Sequence, residues 1–266
     1  MSEFTTVEET LFVPMLGRIY ASEQFPHLFH DPKALELKSR LPQNLKGQKT
    51  QTQYTLMASA IRSANLDRSI QDFLRRCPNG VIVQLGCGLE TAFYRNDNGH
   101  TIWYEADLPN VIAYRQELLG QPERDRSIPA DAFEGEWLQQ VRQAHPTDPI
   151  LVTASGLFYY FPRETVLRLF RSLSHSGPIE ILFDTVNSAG MKRMSHYMDQ
   201  VGHAEAAMYF YVDQAEDLAA EAGLRLRMEE PYYAHVEKRG LLWRTSLTMK
   251  ISDRFRMVKM VHLETP

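Results

Sequence analysis

Val81-Ile82-Val83-Gln84-Leu85-Gly86-Cys87-Gly88-Leu89-Glu90-Thr91 decides how this chain folds. The apolar run around Gln84 reads as a buried strand, and Gly86 and Gly88 then turn the chain without β-carbons. The turn is expected to open onto a helix over Glu90–Arg95, whose free amides would face a ligand lying against the main chain. Strand–turn–helix units of this kind hold nucleotide-like cofactors. The third glycine of the dinucleotide pattern G-x-G-x-x-G falls on Thr91, so the pattern is incomplete.

Outward from this unit, strands and helices alternate. Further strands are expected at Thr101–Glu105, around Arg126-Ser127-Ile128, at Ile150–Ala154 and at Ile179–Phe183. Leu108–Leu119, Phe133–Ala144 and Arg163–Ser174 carry helical periodicity between and after them. The rhythm predicts an α/β fold, a mostly parallel sheet with helices on both faces. Such sheets bind ligands beyond the carboxyl ends of their strands, which here carry Gly86 to Gly88, Asp107, Asp131 and Ser155-Gly156.

The first 76 residues read as helices. One is expected over Glu8–Ala21, kinked or restarted by Pro14, and another over Tyr54–Leu74, with a polar mobile loop at Gln43–Gln53 between them. Residues 187–208 read as helical and rich in Met and Tyr. A helix at Asp213–Ala222 and strands at Leu224–Glu230 and Arg256–Leu263 complete the chain. The expected organisation is a single domain over 1–266. It comprises an N-terminal helical region (1–78), a cofactor core (79–186), a helical insertion forming a substrate lid (187–211) and the C-terminal strands of the sheet (212–266).

The 266 residues are 44% hydrophobic and 23% charged, as in an ordinary globular protein. A net charge of −4 provides no general attraction to nucleic acid or to an anionic membrane, although Lys238-Arg239 and Arg254–Lys259 form small basic spots. No apolar run approaches the ~20 residues that span a bilayer. The start, Met1-Ser2-Glu3-Phe4, does not read as a signal peptide. Cys77 and Cys87 are too few for a disulfide framework, so a cytoplasmic protein with reduced thiols is expected, either monomer or homodimer.

Asp107 stands at the end of the strand Ile102-Trp103-Tyr104-Glu105, about one β-α unit past the glycine turn. A carboxylate there can accept both hydroxyls of a ribose, and Glu105 is its neighbouring alternative. It can equally cap the helix that begins at Leu108-Pro109. Glu90 adds a negative charge facing any phosphate at the turn, which favours a cofactor without phosphates. S-adenosylmethionine, with its nucleoside, sulfonium and amino-acid tail, meets that condition.

Residues 83–95 (Val-Gln-Leu-Gly-Cys-Gly-Leu-Glu-Thr-Ala-Phe-Tyr-Arg) and 103–109 (Trp-Tyr-Glu-Ala-Asp-Leu-Pro) resemble the leucine carboxyl methyltransferase family. The opening Glu9-Thr10-Leu11-Phe12-Val13-Pro14-Met15-Leu16-Gly17-Arg18 and Ala154-Ser155-Gly156-Leu157-Phe158-Tyr159-Tyr160-Phe161 resemble its bacterial branch of tetracenomycin-type polyketide O-methyltransferases. The resemblance implies a class I, Rossmann-like methyltransferase with a seven-stranded sheet. The cofactor would be S-adenosyl-L-methionine and the product S-adenosyl-L-homocysteine. Arg62, which taken alone reads as a solvated surface charge, matches the arginine that holds the cofactor carboxylate. Gly86 and Gly88 match the glycine turn, Asp107 the ribose acid, and Asp131 with Ala132 the adenine contacts. Ser155 departs from the family, many members of which carry Glu there. Arg95 reads as a structural ion-pairing residue, and Cys87 as a small buried filler.

The resemblance points to a small-molecule acceptor, methylated at a carboxylate or hydroxyl. A protein C-terminal carboxylate and a non-catalytic cofactor-binding protein are the alternatives. A carboxylate acceptor needs no general base, whereas a phenol with a pKa of about 10 needs one. Tyr159, Tyr160 and His196 are the candidate catalytic residues, with Tyr197, His203 and Tyr209 nearby in type. His196 and His203 lie two helical turns apart, but no third ligand stands at metal spacing, so no metal is expected. Met191, Met194, Met198 and Met208 with their neighbouring tyrosines read either as an adaptable apolar wall or as plain packing.

Overall fold

The computed structural model describes residues 11–41, 52–200 and 208–266, without the side chains of 195–200. Seven strands form one sheet: β1 (Val81–Leu85), β2 (Ile102–Asp107), β3 (Asp125–Pro129), β4 (Ile150–Ala154), β5 (Ile179–Val186), β6 (Arg225–Pro231) and β7 (Val258–Glu264). Their order is β3-β2-β1-β4-β5-β7-β6, with β7 antiparallel to both of its neighbours and every other pair parallel. β1 and β4 sit at the centre and are buried at every residue, because both faces of the sheet are covered. The strand order reverses between them, which opens a crevice beyond their carboxyl ends.

One face packs against α6 (Glu136–Ala144), α7 (Arg163–Ser174) and α9 (Ala215–Ala222), through Trp137, Val141, Phe170 and Leu218 on Val83, Val152 and Ile181. The other face receives α3 (Gln53–Arg76), whose Ile61, Ile70 and Phe73 bury against Ile82, Leu151 and Leu182. Thr52 starts that helix by accepting the Thr55 amide on its side chain. Before it come α1 (Phe12–Gln24) and α2 (Pro32–Leu37); α4 (Ala92–Asn96) and α5 (Pro109–Leu119) flank β2, α8 (Ser188–Gln200) follows β5, and α10 (Trp243–Arg254) precedes β7.

Several sequence expectations shift. Pro14 lies in the first turn of α1, where its missing N–H costs nothing, so it does not kink that helix; residues 8–10 of the expected helix lie outside the described residues. The polar loop expected at Gln43–Gln53 and the stretch 201–207 fall largely or wholly outside the described residues. The helix after the glycine turn starts at Ala92 rather than Glu90 and has only five residues. β3 is faint in sequence because it is an edge strand, Asp-Arg-Ser-Ile-Pro, with a solvated side. α2 and α10 have no counterpart among the expected elements. The buried residues of α10 are Thr245, Met249 and Ser252, while Trp243 and Leu247 face outward, so its apolar periodicity points away from the core.

A buried ionic cluster fastens the N-terminal helices to the glycine turn. Arg18 on α1 pairs with Asp31 at 3.1 Å and Glu90 at 3.3 Å and donates to the Leu89 carbonyl at 2.6 Å. Arg95 on α4 pairs with Asp31 (2.9 Å), Glu90 (2.8 Å) and Asp67 of α3 (2.7 Å). Two guanidinium groups thus face three carboxylates, with extra hydrogen bonds from Ser63 and Thr91. Removing one partner strands the rest in a dry environment. Arg18→Met is therefore expected to lower the unfolding free energy by about 3–5 kcal/mol, measured by urea denaturation. A change under about 1 kcal/mol would show that the cluster is not a clamp.

Candidate functional site

The carboxyl ends of β2, β1, β4 and β5 bring Asp107, Gly86, Ser155 and Asp184 to one edge of the sheet. Gly86 leaves β1 at φ +59°, donates to the Ala106 carbonyl at 2.8 Å, and has no room for a β-carbon, which would stand 2.9 Å from Leu157 Cδ1. Gly88 then donates its amide to Asp107 Oδ2 at 2.8 Å, and Leu108 donates to Oδ1 at 2.8 Å. The N-cap position of α5 is Leu108, so Asp107 bridges the turn rather than capping that helix. Burial raises the Asp107 carboxyl, and the two amides oppose that rise. The turn therefore works by fixing a half-buried carboxylate at the site, and the Gly88 amide is not left free for a ligand.

Glu105, the alternative ribose acid, is 1% exposed and lies under the turn. It pairs with Arg115 at 3.2 Å, and Arg115 also donates to the Gly88 and Glu90 carbonyls at 3.1 and 2.5 Å. Burial lifts the Glu105 carboxyl well above its usual range and does the same to the Cys87 thiol. Glu105 supports the turn from below and does not reach the cofactor side. Glu90 is no free charge either: burial opposes its ionisation, yet Arg18 and Arg95 hold its carboxyl well below the usual range. Its charge is spent on those two arginines, so Glu90 gives no ground for excluding phosphate at the turn.

A second array lies on the other side of the turn. Asp184, inside β5, has no exposed side-chain surface. Its Oδ1 accepts the Gly156 amide at 2.7 Å, and its Oδ2 accepts the Tyr159 hydroxyl at 2.9 Å. Arg62 Nε forms an ion pair with the same Oδ2 at 3.0 Å, and 27% of the arginine side chain stays exposed. Arg62 is thus no solvated surface charge. Burial disfavours its charge, but Asp184 more than compensates, so it remains a cation. A β-carbon on Gly156, at φ +73°, would stand 2.6 Å from Arg62 Nη1; only glycine lets the guanidinium lie against this backbone. Asp184 was missed in the sequence, although an acid inside the apolar run Ile-Leu-Phe-Asp-Thr-Val is itself a signal.

The remaining candidates divide. Asp131 is exposed beyond β3, its Oδ1 accepting the Phe133 amide at 2.9 Å, and the Ala132 carbonyl accepts Trp137 Nε1 at 3.0 Å. Both sit next to the Asp107 edge, since the Ala130 amide donates to the Asp107 carbonyl at 2.9 Å. Ser155 is half-buried after β4, and its hydroxyl has no hydrogen-bond partner among the described residues. Tyr159 is poorly suited to be a base: it donates to Asp184, and burial with that carboxylate pushes its pKa well up. Tyr160 is 43% exposed at the rim. The backbone of His196 lies in α8, but its side chain, like all of His203, falls outside the described residues. Met191, Met194 and Met208 pack with Val186 against Tyr159.

The geometry suits a cofactor carrying a carboxylate and a ribose: an arginine side chain, partly exposed and held over glycine backbone, on one side, a fixed carboxylate on the other. Among the described residues no helix is long and apolar enough to cross a membrane. Residues 12–174 match the family model described as leucine carboxyl methyltransferase. The tetracenomycin polyketide synthesis O-methyltransferase of Streptomyces glaucescens is 32% identical over 68% of this chain and 67% of its own length. An S-adenosyl-L-methionine-dependent methyltransferase of Gibberella zeae is 25% identical over 95% of this chain and 92% of its own. Among solved structures, the magnesium protoporphyrin IX methyltransferase of Synechocystis with bound S-adenosylhomocysteine shares the fold, at TM-score 0.53 and 9% identity, covering 94% of this chain and 98% of that one. The chain belongs to the leucine carboxyl methyltransferase family and is an S-adenosylmethionine-dependent methyltransferase.

Proposed function

We propose that this enzyme methylates an oxygen of a small hydrophobic or aromatic, polyketide-like acceptor, with a carboxylate favoured over a hydroxyl. The observation that carries the acceptor class is the Met191, Met194 and Met208 wall packed on Tyr159, with the exposed rings of Tyr160, Tyr209 and Tyr211 nearby in the chain. The tetracenomycin relative supports the same class. S-adenosylmethionine supplies, when bound, an electrophilic methyl on a sulfonium.

In this reading Arg62 holds the carboxylate of the amino-acid tail, Gly86 and Gly88 let the cofactor lie close, and Asp107 accepts the ribose hydroxyls. Asp131 and Ala132 border the adenine, and Ser155 borders the methyl site without the charge a glutamate would bring. The described parts of the N-terminal helical region (11–41 and 52–78) and of the segment 187–211 (187–200 and 208–211) bound the acceptor side. Held by these residues, the cofactor would present its sulfonium methyl in line with the acceptor oxygen, and the electron pair of the carbon–sulfur bond would return to sulfur. Alignment at about 3 Å accounts for much of the rate gain. An ionised carboxylate gives up no proton in this step, which suits a site whose Tyr159 is committed to Asp184.

Asp107→Ala is expected to retain the fold and to weaken S-adenosylhomocysteine binding by about 10- to 100-fold in calorimetry, the loss of hydrogen bonds to a charged group. Unchanged affinity would reject the ribose assignment. Tyr159→Phe should keep turnover within about tenfold and leave the pH profile unmoved. A drop of about 10²–10⁴ with loss of one limb of the profile would make Tyr159 the base. The product from labelled cofactor is expected to release its methyl group on mild alkaline hydrolysis, as an ester does. A base-stable product would identify an ether and so a hydroxyl acceptor.

A further inference from the structure

The outward face of α10 is apolar and cationic at once. Trp243 is 68% exposed and Leu247 47%, with Leu242 at 61% just before the helix and Phe255 at 62% just after it. Residues 238–256 carry six cationic side chains against one acid, Asp253, in a chain whose net charge is −4. Asp253 accepts the Tyr233 amide at 2.9 Å and is only partly exposed. At 100° per residue, Lys250, Arg254 and Arg244 share the side of Trp243 and Leu247, opposite the buried Thr245, Met249 and Ser252. Among the described residues none of these three cations has an acidic partner within 4.0 Å, and the Arg244 guanidinium lies over the Trp243 ring at 5.4 Å.

The helix stands near the site. The Leu242 amide donates to Gln53 Oε1 at the start of α3, and Asn187, directly after β5, donates to the Phe255 carbonyl at 2.9 Å. Its C-terminal end thus borders the carboxyl end of β5, the strand that carries Asp184.

We infer that α10 docks the enzyme on an anionic lipid surface. Bulky apolar groups alternate with cations on one face, and an interface that takes both at one depth is acyl chain under headgroup phosphate, where Lys and Arg reach upward along their stems. A symmetric contact with a second copy would set the same cations against each other. The overall negative charge conceals this local reversal. The inference stands on this face alone and does not depend on the proposed acceptor.

The test is co-sedimentation of the full chain, without cofactor, with vesicles of phosphatidylcholine alone or mixed equally with phosphatidylglycerol. The enzyme is expected to pellet with the mixed vesicles only and to be released by raised salt. Trp103 and Trp137 are buried, so a blue shift in tryptophan emission on binding reports Trp243. The triple variant Arg244→Glu, Lys250→Glu, Arg254→Glu should bind roughly a hundredfold more weakly while keeping its thermal unfolding and cofactor binding. Trp243→Ser with Leu247→Ser should abolish the blue shift and weaken pelleting. Failure of the wild-type chain to pellet with mixed vesicles overturns the inference, even if the face captures an acidic protein, and so does equal pelleting of the charge-reversed variant.

Discussion

The Asp184 carboxylate, with no side-chain surface exposed, is the contact on which the site depends. It collects a guanidinium from α3, the amide that follows β4 and the hydroxyl of Tyr159. A charge buried this deeply is tolerable only when it is fully paired, and the pairing imposes order on everything that supplies it. Arg62 is thereby held at the crevice with part of its side chain exposed, and Gly156 must stay glycine to make room. α3, which carries Arg62, joins the candidate site through this contact.

The other half of the site repeats the logic with weaker commitment. Asp107 stays half-buried, and two amides orient it without neutralising it. Below it, Arg115 joins Glu105 to the carbonyls of the glycine turn, and beside it Arg18 and Arg95 bind Glu90, Asp31 and Asp67. The turn is therefore braced from two directions by buried arginines. A rigid turn between a fixed carboxylate and a fixed guanidinium suits an extended zwitterionic nucleoside, because alignment is most of the catalysis in methyl transfer.

Those features of the design that burial alone determines were legible in the sequence. β1 and β4 are apolar on both faces, and the glycine turn follows directly. β3 was faint because an edge strand mixes solvated and buried residues. α10 was invisible because its exposed side is the more apolar one, so a periodicity that normally marks the core marked a surface instead. The function of single charges was hardest to read. The family pattern singles out Arg62, whereas the pairing of Glu90 with Arg18 and Arg95 has no mark in the sequence, and Asp184 lies one residue past the strand expected to end at Phe183. Pairings between residues far apart in the chain leave no local trace.

A crystal structure of the enzyme with S-adenosylhomocysteine would fix both ends of the bound cofactor. The amino-acid carboxylate is expected within hydrogen-bond distance of the Arg62 guanidinium, with that guanidinium still on Asp184, and both ribose hydroxyls on Asp107. A tail turned away from Arg62, or a ribose held by another carboxylate, would contradict it.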